Sequence, residues 1–384
     1  MSADPPPAAP ASPVESGSRA APNPQPRFPA DAVVPIAHEK LPFPIPMPRT
    51  VGGRYEVLDL FHAGGGMGLL FTCRDRHTGG AALIKAIKYH HSENLRQIQG
   101  GPEETVKLVR TLRTIQRVER TVMTLVRQAG SNNLPNLNDY VLGASPYLES
   151  LLAYPGGRRF GFADESLRRE MLEEKPYLVI ERIWGRSLES ELKSRGSLPE
   201  EEVLEIARSL LSVFNHLHRP QRFKNVERRF VYQDLKPSNV MLGGCQSLWL
   251  IDWGGVRVTT AQGVTQCQGA GTPGYAAPEC PFDGIPRNAL PDGRADLYSL
   301  GMMLFELLTG IAPASLLLNP AGDWFLPKGV DLGAHPALGR TDPALRTIVS
   351  RATRRAAAER YADAGEMRAA VCELLGRRFL DEDG

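Results

Sequence analysis

The most constraining part of the sequence is a short polar loop between two apolar runs. It reads VYQDLKPSNVML from Val231 to Leu242, so that Asp234 is followed by a lysine two residues later and an asparagine five residues later. Thirteen residues after Asn239, Asp252 ends a second apolar run and precedes a glycine. The loop therefore combines a candidate general base, a cation and an amide oxygen, and the Asn239 and Asp252 oxygens suit a hard cation such as Mg²⁺.

A glycine-rich segment precedes this loop by about 160 residues, with four glycines in the five residues 64–68. Glycines let backbone N–H groups approach phosphate oxygens. A dinucleotide-binding fold requires a helix directly afterwards, but here LLFTCRD, a turn at His77–Gly80 and AALIKAIK follow. The pattern is that of strand, turn and strand, and no Lys-Ser/Thr pair follows a glycine as in a Walker loop. We therefore expect a glycine flap on a hairpin.

A long helix is predicted over Glu103–Ala129. These 27 residues contain neither Gly nor Pro and lie between Pro102 and Gly130, which are start and stop signals. Apolar residues recur at steps of three and four from Leu108 to Val126, so one face is expected to be buried. Glu119 lies in the middle of the helix beside that face, where it is able to meet a lysine on the hairpin.

Composition excludes several classes of protein. The formal net charge of +2 gives no support to a chain whose main work is binding nucleic acid or an anionic membrane. The five cysteines form no C-x-x-C pair, which predicts reduced thiols and a cytoplasmic chain without a disulfide framework or zinc site. The long apolar stretch Leu297–Leu318 is interrupted by Glu306, Gly310 and Pro313, so we expect a buried helix and no membrane span.

The first 50 residues stand apart, because they hold 14 of the 32 prolines. No apolar run suitable for a signal peptide is present. We expect residues 1–50 to form a disordered or polyproline II leader, without helix or sheet, that serves as a linker. The alternation of apolar residues and prolines in Leu41–Pro48 leaves open a second interpretation as a docking motif.

Further motifs complete a pattern. After the polar loop come GTPGYAAPE from Gly271 to Glu279, then DLYSLG from Asp296, and finally Glu359-Arg360-Tyr361. Together with the glycine segment and the loop, they stand in the order found in protein Ser/Thr kinases of the eukaryotic-like type common in bacteria, and the sequence resembles that family over residues 55–378. The resemblance implies an α+β, bilobal fold, with a small β-rich lobe (55–182) carrying one long helix and a larger, mainly helical lobe (186–378).

The resemblance also implies ATP and Mg²⁺ as cofactors and a protein with Ser or Thr side chains as substrate. The implied ATP-binding residues are Ala63, Gly65, Gly68, Leu70, Lys85, Glu181, Ile183 and Met241. By the same resemblance Lys85 pairs with Glu119, Asp234 accepts the proton of the substrate hydroxyl, Lys236 neutralises the γ-phosphate, and Asn239 and Asp252 hold the metal. Thr272, Glu279, Asp296 and Arg360 take the positions that support the activation segment and the catalytic loop.

The sequence departs from the family pattern at several positions. Ala63 replaces the first glycine of the flap, and Trp253 replaces a phenylalanine as an apolar plug. Lys85 has the family's spacing from the glycine segment, but Lys88 matches the local Ala-x-Lys pattern better, and we favour Lys85. Gln233 replaces the arginine that usually binds a phosphorylated activation loop, and an amide cannot form that charge-assisted pair. We therefore expect little dependence on phosphorylation at Thr259, Thr260 or Thr265.

Three segments are longer than the family norm, namely 89–117, 143–175 and 219–230. The last has five basic residues and one acidic residue and is interpreted as a solvated loop, with a docking patch for an acidic partner as the alternative. Two other functions stay open. A pseudokinase keeps the fold without turnover, whereas a small-molecule kinase of the aminoglycoside type shares the Asp-x-x-x-x-Asn arrangement but has no use for Gly271–Glu279.

Overall fold

The computed structural model describes residues 32–41, 43–63, 68–89, 101–128, 130, 133–153, 169–170, 173–223, 225–244, 247–260, 263–265, 271–280, 291–317 and 325–382. The chain folds as a mixed α+β structure, as predicted, with two clusters of buried apolar side chains. One cluster is formed by the first part of the chain, and the other mainly by residues that follow Leu188. Residues 1–31, Gly65 and His90-His91 lie outside the described ranges.

The first cluster lies under a six-stranded antiparallel sheet. Its strands, in spatial order, are β3 (Thr50–Val51), β4 (Tyr55–His62), β5 (Gly68–Asp75), β6 (Ala81–Ile87), β8 (Lys175–Glu181) and β7 (Leu137–Gly143). The predicted strand–turn–strand unit is present as β5 and β6, with Leu70 opposite Lys85. Lys85 also lies opposite Leu178 of β8, so this lysine is on a strand with neighbours on both sides.

Helix α1 (Pro102–Gln128) connects the two clusters, and its bounds confirm the predicted helix. Leu108, Leu112 and Ile115 in its first half are buried in the first cluster. Val122 and Val126 in its second half are buried in the other cluster. Because the apolar face continues over the whole helix, a shift of α1 would disturb both cores.

The second cluster is built mainly from helices. The helices that contribute to it are α3 (Leu188–Arg195), α4 (Glu200–Leu217), α5 (Arg294–Thr309), α6 (Pro343–Ala352) and α7 (Ala364–Glu382). Helix α2 (Pro146–Ala153) lies earlier in the chain and contributes to the first cluster. Helix α5 is buried nearly all round and ends at Gly310, whose φ of 72° is the left-handed conformation that glycine adopts without strain. No helix in the described part of the chain is long and apolar enough to cross a membrane.

Two small sheets flank the polar loop. One joins β9 (Gly185–Ser187), β12 (Val240–Gly243) and β13 (Leu248–Leu250) in the order β13-β12-β9. The other contains β10 (Gln221–Phe223), β11 (Val226–Val231), β14 (Arg257–Thr260) and β15 (Gly263–Thr265). The interpretation of residues 219–230 as a solvated loop is therefore wrong. Phe230 and Val258 are buried opposite each other, and this pairing converts the segment into a hairpin against β14.

The prediction that residues 1–50 contain no sheet is wrong for residues 32–50. β1 (Val33–Ile36) pairs with β2 (Ile45–Pro48) as an antiparallel hairpin. Prolines are tolerated here because in a sheet of two strands both strands are edges. Alternation with proline places Leu41, Ile45 and Met47 on one side, where they are buried in the first cluster. This face is thus internal, which leaves no support for the docking-motif interpretation of Leu41–Pro48.

We predict that Ile45→Ala lowers the free energy of unfolding by about 2–5 kcal/mol, because it removes a fully buried side chain from a packed core. The measurement is urea unfolding of the full chain. Lys40→Ala, at an exposed position of the same segment, serves as the control and is expected to leave the midpoint unchanged. Equal midpoints for Ile45→Ala and the parent chain would show that the hairpin does not contribute to the core.

Candidate active site

Lys85 is the centre of a three-member charge cluster. Its Nζ lies 2.7 Å from Oε1 of Glu119 on α1 and 2.8 Å from Oδ1 of Asp252. The three residues come from β6, from the middle of α1 and from the end of the β13 run, so the cluster ties three parts of the fold together. Gly68 packs on the lysine stem, since a Cβ there would lie 2.7 Å from Cε of Lys85. The ion pair predicted from the resemblance is therefore present.

Burial and charge act in opposite directions within this cluster. Burial lowers the pKa of Lys85, but the two carboxylates outweigh it, so the net pKa is raised and the ammonium form is stabilised. Burial raises the pKa of Glu119, with Lys85 opposing that shift. Lys85 lowers the pKa of Asp252, whose side chain is 44% exposed and therefore stays ionised and open to a ligand.

Lys85 and Lys88 differ in what each ammonium group contacts. Nζ of Lys88 donates a hydrogen bond of 2.7 Å to the carbonyl oxygen of Ala63, at the start of the glycine segment. Nζ of Lys85, by contrast, contacts the carboxylates of Glu119 and Asp252. Lys85 therefore belongs to the carboxylate cluster, whereas Lys88 is bonded to the backbone at the entry to the glycine segment.

Asp234 lies in a second polar cluster. It accepts hydrogen bonds from Nζ of Lys236 at 3.0 Å, from Nδ2 of Asn239 at 3.0 Å and from Oγ1 of Thr272 at 2.7 Å. Lys236 also donates to Thr272, at 2.8 Å. Burial raises the pKa of the Asp234 carboxyl, with Lys236 opposing the shift. A carboxylate with a raised pKa and several donors around it is suited to accept a proton.

The loop that carries Asp234 is held by Asp296 of α5, which is fully buried. Its carboxylate accepts the backbone N–H groups of Tyr232 and Gln233, both at 2.8 Å, and lies 2.8 Å from Nε2 of His218. Gln233 has a φ of 69°, which is uncommon for a residue with a side chain. The carboxylate thus stabilises a strained bend immediately before Asp234.

Asp252, like Gln233, has a left-handed backbone conformation, with φ 62° and ψ 77°. The next residue, Trp253, is 1% exposed and donates its indole N–H to the carbonyl of Leu250 at 2.9 Å. Its ring packs edge-on against Tyr232, with centroids 5.3 Å apart. Trp253 therefore fills the position of an apolar plug, and the bend before it turns the Asp252 carboxylate towards Lys85.

Glu279 and Arg360 form a bidentate ion pair, with oxygen–nitrogen distances of 2.7 and 2.9 Å. The Arg360 side chain is fully buried, and it also donates to the backbone carbonyls of Arg354, Arg294 and Arg355. A planar guanidinium fits a carboxylate in this paired geometry. The pair fixes the end of the segment that begins at Gly271, and with it the Thr272 hydroxyl that contacts Asp234.

The predicted nucleotide-contacting residues that the structure describes lie on or next to strands. Ala63 directly follows β4, Gly68 and Leu70 lie in β5, and Met241 lies in β12 opposite Ser187. The amide of Glu181 donates to the carbonyl of Asn136 at 2.8 Å. Any backbone contact from Glu181 to a purine must therefore come from its carbonyl, and Ile183 follows two residues after the end of β8.

The donor set fits a magnesium ion that is shared with a nucleotide. Asn239 gives its amide N–H to Asp234, which directs the amide oxygen away from that carboxylate, and Asp252 is partly exposed. Within the described residues, no three His, Cys, Asp or Glu side chains are arranged to hold a metal. Mg²⁺ commonly uses one or two protein oxygens and completes its coordination with phosphate and water.

Sequence reasoning missed Arg257 on β14. This side chain is 2% exposed, and its Nε and Nη1 have no hydrogen-bond partner in the part of the chain that the structure describes. Burial lowers its pKa. Nearby, Nε2 of Gln233 lies 3.8 Å from Sγ of the buried Cys280. A lone arginine in a valine–threonine strand carries no periodic signal, so its burial could be found only from the β11–β14 pairing.

Comparison with known proteins finds similarity to protein kinases. A family model described as protein kinase domain matches residues 162–317. The chain is 33% identical over 209 residues to the Serine/threonine-protein kinase PknL of Mycobacterium tuberculosis, which covers 52% of this chain and 48% of that protein. It is 30% identical over 140 residues to the Serine/threonine-protein kinase PknB of Mycobacterium leprae, over 36% of this chain and 20% of that protein. The chain thus spans half or less of the length of these relatives.

We predict that Lys85→Met lowers the free energy of unfolding by about 3–5 kcal/mol, because two carboxylates lose the cation between them and Glu119 is buried. Lys88→Met takes no cation from the Glu119 and Asp252 carboxylates, because Nζ of Lys88 contacts the backbone carbonyl of Ala63, and we expect a smaller loss than for Lys85→Met. Denaturant unfolding of the two variants at neutral pH makes the comparison. Equal losses in both would contradict the assignment of Lys85 to the centre of the cluster.

Proposed function

We propose that this chain is a Ser/Thr protein kinase of the eukaryotic-like type and transfers the γ-phosphoryl group of ATP to Ser or Thr hydroxyls of a protein substrate. The observation that carries the proposal is the contact set of Asp234. A carboxylate with a raised pKa is bonded to Lys236 and to Thr272 of the Gly271–Glu279 segment, while Asp252 contacts Lys85. The base, the phosphate-binding cations and the substrate-facing segment are thereby linked in one site.

The residues divide the work of phosphoryl transfer between positioning and charge neutralisation. Asp234 orients the substrate hydroxyl and takes its proton as the oxygen attacks the γ-phosphorus, and ADP leaves. Lys236 stabilises the negative charge of the transferred group, and Lys85, held by Glu119, binds the phosphates nearer the nucleoside. When bound, Mg²⁺ would neutralise charge on the phosphate oxygens, and Asn239 and Asp252 would hold it.

The nucleotide is proposed to lie between a small lobe, residues 55–182, and a large lobe, residues 186–378. The two apolar clusters and the helix that spans them support this division. The adenine would lie between the glycine segment above and Met241 below. Backbone groups of Glu181 and Ile183 would bond it, and Ala63, Gly65, Gly68 and Leu70 would cover the phosphates and the ring.

Two observations disfavour the alternatives. A pseudokinase has no need of an intact base and metal-ligand set, yet all four residues are present here, with Lys85 bonded to Asp252 and Asn239 bonded to Asp234. In a small-molecule kinase the Gly271–Glu279 segment would have no purpose. Here Thr272 bonds directly to Asp234, and Glu279 is tied to Arg360. Both contacts support a site that accepts an extended peptide.

We predict that Asp234→Asn abolishes turnover and leaves ATP binding nearly intact, because removal of a positioned base costs about 10²–10⁴-fold in rate. Phosphate transfer is measured on a generic Ser/Thr protein substrate, together with the intact mass of the chain after incubation with Mg·ATP. Asp363→Asn, an exposed helix-start position where asparagine is an equally good cap, is the matched control. Unchanged turnover in Asp234→Asn would refute the role of this residue, and no turnover in the parent chain would favour the pseudokinase.

Activity is expected to depend little on phosphorylation of Thr259, Thr260 or Thr265. Gln233 has no guanidinium with which to bind a phosphate, and β14 is held instead by backbone pairing with β11. The measurement is the activity of the chain before and after phosphatase treatment, with intact mass confirming that phosphate has been removed. A large loss of activity on dephosphorylation would overturn this prediction.

A further inference from the structure

Helix α1 carries a second ion-pair cluster, six residues before Glu119. Arg113 lies about 1.7 helical turns before Glu119 and contacts two acidic residues, Glu170 and Glu173, which we call the glutamate pair. The glutamate pair belongs to the segment 143–175, which is longer than the family pattern predicts. The function proposed above assigns no role to either Arg113 or the glutamate pair.

The contact is buried and specific. Nη1 of Arg113 lies 2.7 Å from Oε1 of Glu170, and the other carboxylate oxygen of Glu170 lies 3.0 Å from Nε of Arg110. The Glu170 side chain is 2% exposed, whereas that of Arg110 is 61% exposed. Arg113 is the inner partner and also contacts Glu173. Surface ion pairs contribute little, but a buried pair fixes the position of the elements that carry it.

The glutamate pair is in turn fixed to the central sheet. Lys175, the first residue of β8, is 2% exposed, and its Nζ donates to the carbonyl oxygens of Glu170 at 2.5 Å and Glu173 at 2.6 Å. Three residues further along the same strand, Leu178 lies opposite Lys85. The contacts therefore form a closed ring from Lys85 through β8, Lys175, the glutamate pair and α1 to Glu119, and back to Lys85.

Loss of the Glu170 charge would act on this ring through hydration. Arg113 would keep only the contact to Glu173, whose side chain is 46% exposed, and a guanidinium that has lost its buried carboxylate partner is costly to keep away from water. Arg113 is 12% exposed in its side chain, so it regains water only if the first half of α1 moves outward. Glu119 is on the same rigid helix and would move with it, away from Lys85.

We propose that Arg113 and Glu170 are positioning residues, which hold α1 where Glu119 reaches Lys85 and so orient Lys85 for the phosphates of ATP. The inference rests on the proposed function, since it deepens the role assigned to Lys85. It places the control of α1 within this chain, in a segment between β7 and β8, with no second protein required.

The first test is a double-mutant cycle on kcat. Glu170→Gln keeps the shape and hydrogen-bonding capacity of the side chain but removes its charge, and we expect kcat to fall about 10- to 100-fold, as misplacement by about 1 Å can produce. In a Glu119→Gln background the same change is expected to have almost no further effect. Arg110→Gln, which removes the outer and exposed contact to Glu170, is the matched control and should leave kcat nearly unchanged. Equal losses from Glu170→Gln in both backgrounds would overturn the proposal.

The second test does not require turnover. Binding of ATP with MgCl₂ and binding of adenosine are measured on the full chain and on Glu170→Gln by titration calorimetry. Adenosine has no phosphate for Lys85 to bind, so we expect its affinity to be unchanged while ATP binds about tenfold more weakly, a difference of about 1.4 kcal/mol. Parallel losses for both ligands, or no loss for either, would overturn the proposal. A parent chain that binds ATP without turnover would refute the proposed activity alone, because the ATP–adenosine difference still decides this inference.

Discussion

The arrangement of the site depends on one buried carboxylate. Asp296 is fully buried in α5 and receives two backbone N–H groups and the His218 ring. A buried aspartate is tolerated only when its oxygens are satisfied, and here the donors come from the loop that precedes Asp234. Because α5 is surrounded by apolar side chains, its position is fixed by the core. The two hydrogen bonds to Asp296 therefore fix the position of the loop as well. The positive φ of Gln233 is the cost of meeting both N–H groups at once.

Polar contacts connect the loop held by Asp296 to the other residues of the site. Thr272 bonds to Asp234, and the segment containing Thr272 is held at its other end by the Glu279–Arg360 pair. On the far side, Tyr232 packs on Trp253, next to Asp252. Asp252 contacts Lys85, and Lys85 contacts Glu119. The two apolar cores are thus linked across the site by charges, and α1 has buried apolar side chains in both.

Much of the site was predictable because each key residue stands in a local pattern. Glu119 was found from the 3.6-residue period of α1, and Asp234, Asn239 and Asp252 from fixed spacing between apolar strands. The leader was misjudged because proline content was given more weight than the alternation at Leu41–Pro48, although period-two alternation is itself a strand signal. The β10–β11 hairpin was missed because its charged residues face solvent and only its pairing with β14 makes it a strand. Contacts such as Arg113–Glu170 join segments 57 residues apart, and no sequence period records them.

The segments that looked unexplained in the sequence share a structural property, because each packs against a part of the site. The β1–β2 hairpin adds Ile45 and Met47 to the core beneath the six-stranded sheet. The glutamate pair holds Arg113 of α1 and is itself bonded to β8. The β10–β11 hairpin pairs with β14, directly after Asp252. In each case an additional segment of the chain is attached to an element near the site, through apolar burial in the first, charge in the second and backbone hydrogen bonds in the third. These interactions differ in their response to salt and to side-chain substitution, since ion pairs are screened by salt and backbone pairing is not set by side-chain charge. The first two are coupled, because the half of α1 that carries Arg113 packs in the same core as the β1–β2 hairpin.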